Sequence, residues 1–236
     1  MGSGNVKPST NIKNSTKRVK LINKVAFRLV NSKFPPITLF DDVASSDDFD
    51  TVYAIQALTN PRILTELGDL SLLASNEIPF GIDGVNYVTA PFTHINPDGS
   101  RFSSGAFGVL YLADTIDTAI KETLYHQEKY FQNIPDLHFD TIDMRCLKVT
   151  FSANVIDCSQ IEGVDDHKDY TVARSLGAQL KKQAEQGVQY RSVRNIGATC
   201  WGLFSPKHVA TAIQTKHFEF IFDGQAISKV RELVNS

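Results

Sequence analysis

The chain has 236 residues, 42% hydrophobic and 21% charged, with a formal net charge of −2. That is enough apolar material for one large core, and it gives no general attraction to nucleic acid or to an anionic membrane. The apolar runs fall well short of the roughly 20 residues a helix needs to cross a bilayer.

The first residues, MGSGNVKPSTNIKNST, are polar and lack the apolar stretch of a secretory leader, so the expected location is the cytoplasm. Cys146, Cys158 and Cys200 are odd in number and widely spaced, which suits reduced thiols in such a compartment. The six histidines form no zinc-type spacing, and no metal is expected.

Residues 1–24 read as a flexible basic tail: between Lys7 and Lys24 there are six basic residues and no acid. Residues 25–236 read as a single domain. Val25, Phe27 and Leu29 alternate, as in a strand or a helix end, and Arg28 lies among them. Phe34-Pro35-Pro36 then forces an extended segment. Asp41, Asp42, Asp47, Asp48 and Asp50 form an acidic loop that starts a helix ending at Asn60-Pro61, and a second helix runs from there to Gly68. Leu72-Leu73-Ala74 and Val85-Asn86-Tyr87-Val88 read as short strands. Pro91 to Gly99 reads as a loop holding His94.

Residues 101–126 combine a loop cation, a strand phenol and a helical carboxylate. Arg101 opens a turn of small residues, and Val109–Ala113 is a short apolar strand containing Tyr111. Asp114 or Thr115 caps a helix with Ile116, Ala119, Ile120, Thr123 and Leu124 on its buried face. Glu122 and His126 sit one helical step apart beside that face. Taken singly, such an Arg is solvated and such a Tyr is packing.

Downstream, Met144–Phe151 alternates as a strand, and 153–157 reads as another. A helix is predicted from about Thr171 to Gln186, stopped by Gly187. Tyr190–Val193, Thr199–Phe204 and Phe218–Phe222 follow as strands, and 227–234 is a strand or a short helix. The result is a mixed α+β domain. No glycine-rich phosphate loop, Walker loop or GxSxG elbow occurs, so Ser192 reads as a hydrogen-bonding residue and not as a nucleophile.

These pieces together resemble the RES domain family, named for an Arg, a Glu and a Ser. The core motif is matched by Arg101, Tyr111-Leu112-Ala113, Ala119-Ile120-Lys121-Glu122 and His126. Gly187-Val188-Gln189-Tyr190-Arg191-Ser192-Val193-Arg194 resembles the run that carries the serine, and Cys200–Pro206 the strand and turn after it. Asn60-Pro61-Arg62 and Ala90-Pro91-Phe92-Thr93-His94 are similar to longer members. The likeness spans about residues 25–230.

The resemblance implies an NAD+-consuming, toxin-like enzyme with an ADP-ribosyltransferase-like fold: a split, mostly antiparallel β core flanked by helices. It implies Arg101, Glu122 and Ser192 as the catalytic set, with Tyr111, Arg28, His94, Tyr190 and Arg194 binding substrate and Ser205 as a fallback for Ser192. A forked guanidinium suits a diphosphate, and a fixed carboxylate suits the positive ribose left when nicotinamide departs. NAD+ is then substrate and not cofactor, and the acceptor is water or phosphate. A protein acceptor, making a protein ADP-ribosyltransferase, is the alternative; a non-catalytic interaction module is a third reading. The family also implies a separate neutralising antitoxin, and a toxin acting in its own cell or delivered into the cytoplasm of another.

Overall fold

The computed structural model describes residues 17–33 and 68–234. The readings placed on 1–16 and 34–67, including the acidic loop, its two helices and Asn60-Pro61-Arg62, lie outside the described residues. Among the described residues there are seven strands: β1 (Lys17–Asn31), β2 (Leu110–Ala113), β3 (Asp140–Asp157), β4 (Gly187–Arg191), β5 (Thr199–Leu203), β6 (Val209–Phe222) and β7 (Ile227–Leu233). The helices are α1 (Val85–Thr93), α2 (Ile116–Gln132) and α3 (Thr171–Lys182). Every strand pairing is antiparallel except β3 with β4.

The sheet is divided as the α+β expectation has it. Long strands β1, β3, β6 and β7 form one antiparallel part, and short strands β2, β5 and β4 form the other. The parts meet at two narrow junctions: Phe27 opposite Ala113, and Ile156 and Asp157 beside Val188 and Gln189.

Strand alternation gives each face its own core. On β3, Leu147, Val149, Phe151, Ala153 and Val155 join one cluster, which α1 covers with Val85, Val88 and Phe92. Ile142, Met144, Cys146 and Ile156 join the other, which α2 and α3 cover with Ala119, Phe131, Ala173, Leu176 and Leu180. A fully buried Phe or Leu contributes roughly 1.5–3 kcal/mol, so the middle of β3, packed on both faces, anchors the fold.

Four local readings are corrected. Residues 17–24, expected as tail, are the first half of β1, because Lys17–Leu21 pair in register with Asp157–Ala153. Val85–Val88, expected as a strand, opens α1, which runs on through Pro91 to Thr93. Leu70–Leu72 and Ser75–Glu77 are single 3-10 turns where a strand was expected. The two strands expected over 144–157 are one, β3.

Candidate active site

Helix α2 positions the carboxylate. Thr115 is its N-cap, accepting from the Thr118 amide at 3.1 Å, and Asp117 lies in the first turn, where the helix dipole favours an acid. Glu122 then meets the turn after β4. Its Oε1 accepts from Ser192 Oγ at 2.6 Å, Val193 N at 3.0 Å and Arg194 N at 3.3 Å. All three bonds fall on one oxygen, and Oε2 takes none of them. The turn is itself fixed, since Ser192 Oγ accepts from Asn195 N at 2.9 Å. The Asn195 side chain donates to Thr118 Oγ1 at 2.8 Å and accepts from Lys121 Nζ at 3.1 Å. Hydrogen bonds to a charged group contribute roughly 1.5–3 kcal/mol each, so this carboxylate is held in one place.

Glu122 lines a cleft of about 740 Å³, within the usual range for small-molecule sites. Arg28, His94, Arg101, Tyr111 and Tyr190, all candidates from sequence, line it too. The β1–β2 junction brings Arg28 here, donating to the Tyr111 carbonyl at 3.1 Å. Burial brings the Arg28 pKa down to about 10, so the group is still a cation at neutral pH. Its Nε is buried without a hydrogen-bond partner among the described residues. Such a donor costs free energy unless a bound group satisfies it.

Arg101 is more committed. It is 8% exposed, and its Nη1 donates to the carbonyls of Val164 at 3.0 Å and Asp166 at 2.8 Å. Its guanidinium stacks on Tyr170, 4.4 Å from the ring centre. The residue therefore ties the 158–170 loop to the cleft wall. Tyr111 is committed as well: its hydroxyl accepts from Phe102 N at 2.9 Å and bonds Ser100 Oγ at 2.8 Å. Burial pushes its pKa up to about 12, so it is a neutral phenol here. His94 closes α1, with Nδ1 3.3 Å from Thr93 Oγ1. Tyr190 is buried edge-on against Phe102, and burial also raises its pKa well above the ordinary value.

Ser192 and Arg194 are not on the cleft wall. Ser192 is 6% exposed and serves Glu122. The Arg194 guanidinium lies over Tyr125, 3.4 Å from the ring centre, and its Nη2 donates to the His167 carbonyl at 2.9 Å. It links α2 to the 158–170 loop. Ser205 caps the turn at Pro206–His208, accepting from Lys207 N at 3.4 Å, and is not part of this cleft.

Several cleft residues were not singled out from sequence. Arg174, on α3, donates to the carbonyls of Ser100 at 3.0 Å and Asp98 at 2.8 Å. Tyr170 lies between Arg101 and Arg174. Lys129 lies one helical heptad after Glu122, and that spacing was the available signal for it. Cys200 opens on the cleft beside Glu122, but burial, then the charges of Glu122 and Asp114, push its pKa up to about 12. A thiol in that state is no nucleophile. His126, which the sequence motif did include, also lines the cleft and is solvent-exposed.

A family model described as RES domain matches residues 78–223. Uncharacterized protein y4oC of Sinorhizobium fredii (strain NBRC 101917 / NGR234) is 28% identical over 208 residues, covering 86% of this chain and 84% of the relative. Among solved structures, a chain of the M. tuberculosis MbcT–MbcA toxin–antitoxin complex aligns over 85% of this chain and 86% of its own length, with 10% identity and a TM-score of 0.42.

Proposed function

The chain belongs to the RES domain family, and from that premise we propose that its cleft binds NAD+ and breaks the bond between nicotinamide and ribose. The observation that carries the reading is Glu122, a carboxylate anchored through one oxygen on the wall of a cleft supplied with guanidinium groups. As the C–N bond breaks, its electron pair stays with the nicotinamide nitrogen, which leaves neutral and needs no proton. The ribose carbon becomes oxocarbenium-like, and a preorganised carboxylate stabilises it without having to move. The oxygen of Glu122 outside the anchoring bonds is the one offered to the ribose.

The remaining roles follow from what each group already holds. Arg28, with an unpartnered buried Nε, is the first choice to grip the diphosphate. Arg101 contributes positive charge while holding the 158–170 loop. Ser192 keeps the carboxylate in place and does not itself touch the sugar. Water or phosphate completes the reaction at the ribose carbon. An enzyme that drains NAD+ needs restraint, and a separate antitoxin is the partner that the family implies.

The test is to incubate the purified protein with NAD+ in phosphate-free buffer and then with phosphate. Release of nicotinamide is expected, with ADP-ribose as the water product and ADP-ribose 1″-phosphate as the phosphate product. NAD+ that stays intact in both buffers contradicts the reading.

A further inference from the structure

The cleft runs along one stripe of α2. Glu122, His126, Lys129, Tyr130 and Asn133 all line it, at the three- and four-residue spacing of a single helix face. At 1.5 Å per residue this stripe is roughly 16 Å long from Glu122 to Asn133, the scale of an extended dinucleotide. The opposite side of the same turns is fastened down. Glu128 Oε1 accepts from Ile227 N at 2.9 Å, and Gln132 Nε2 donates to the Gln225 carbonyl at 2.9 Å. Phe131 is 2% exposed, 4.9 Å from Phe222. The end of the helix is therefore rigid, and it holds Lys129, Tyr130 and Asn133 toward the cleft.

Tyr130 is 63% exposed. One exposed aromatic is ordinary on a protein surface. This one is on the wall of a cleft, beside an exposed lysine that joins no ion pair among the described residues and one turn before an exposed amide. A flat ring, a cation and an amide on one rigid face suit a heteroaromatic base joined to a phosphate.

We propose that Lys129, Tyr130 and Asn133 form the subsite for the distal half of the substrate: Tyr130 stacks on its purine, Asn133 meets the base edge, and Lys129 faces the neighbouring phosphate. The assignment rests on the NAD+ reading for its substrate. It makes α2 a ruler, with the reacting ribose at Glu122 and the far base about two to three turns on.

ADP is the probe, because it carries the purine and the diphosphate but no nicotinamide–ribose bond. Its binding is measured by calorimetry on the full chain. Tyr130→Ala is expected to weaken ADP at least about fivefold, the lower end of what losing a base–aromatic stack costs. Tyr130→Phe keeps the ring and is expected to bind within about twofold of the unaltered chain. Equal ADP binding by the unaltered chain and Tyr130→Ala overturns the proposal, as does an unaltered chain that does not bind ADP. If NAD+ is never cleaved, the cleavage reading fails, and ADP binding still decides this one.

Discussion

At the scale of single residues, the site divides into groups that face the cleft and groups that hold them. Ser192 and Arg194 were picked out by their motif, but where their side chains point was not legible. Sequence spacing does not show that the Ser192 hydroxyl points at Glu122 or that the Arg194 side chain turns onto Tyr125 and His167. As a positioning residue, Ser192 has a specific signature. Ser192→Ala removes one bond to a charged carboxylate, worth roughly 1.5–3 kcal/mol, so kcat for NAD+ cleavage is expected to fall about 10- to 100-fold. KM should change little, which steady-state kinetics will show; a rise in KM at constant kcat would mean that Ser192 binds substrate. Arg101 is separable in a similar way. A lysine cannot bond two carbonyls and stack on Tyr170 as the guanidinium does. Arg101→Lys is therefore expected to lower Tm by several degrees in a thermal melt, and an unchanged Tm would show that Arg101 serves ligand alone.

At the scale of elements, α2 was read well because its cap, first-turn acid and apolar stripe all agree. α1 was misread because Val85, Asn86 and Tyr87 alternate like a strand, and Pro91 was read as opening a loop. The helical signal was present in Val85, Val88, Thr89 and Phe92, spaced i, i+3, i+4 and i+7 and buried together. Gly84, in left-handed conformation at φ 76°, starts the helix without a side-chain cap. α3 supplies the sharper test. At Gly177 a Cβ would come within 2.0 Å of the Phe102 carbonyl oxygen, next to Arg101. Helix propensity alone would have Gly177→Ala stabilise by up to about 1 kcal/mol. A backbone contact that short outweighs it, and overpacking costs typically 1–3 kcal/mol. Chemical denaturation is expected to show a net loss of stability, and a gain would mean that α3 can slide away from the cleft wall.

At the scale of the whole molecule, the divided sheet was expected from family likeness and not from periodicity. Nothing local marks β1 as the partner of both β2 and β3, since its contacts lie far along the chain. The cleft depends on that topology: β1 brings Arg28, β2 brings Tyr111, and α2, packed over them, brings Glu122. None of the helices among the described residues is long and apolar enough to cross a membrane. Stability should depend on pH through His208. Partial burial lowers its proton affinity in the fold. Below about pH 6.5 the unfolded chain therefore binds more protons than the folded one. Stability is fully present above that pH and is lost as pH falls toward the folded value. Tm is expected to drop between pH 7.5 and 5.5, with a shallower drop in His208→Gln. A flat profile would show that the His208 ring is not shielded in solution.

The central claim is that the anchored carboxylate of Glu122 drives cleavage of the nicotinamide–ribose bond. The most direct measurement is nicotinamide release at saturating NAD+ by the unaltered chain and by Glu122→Gln, which keeps the shape and removes the charge. The unaltered chain should turn over, and the variant should lose roughly 10²–10³-fold in kcat, as when a preorganised electrostatic group is removed. Equal rates in the two proteins would contradict the account.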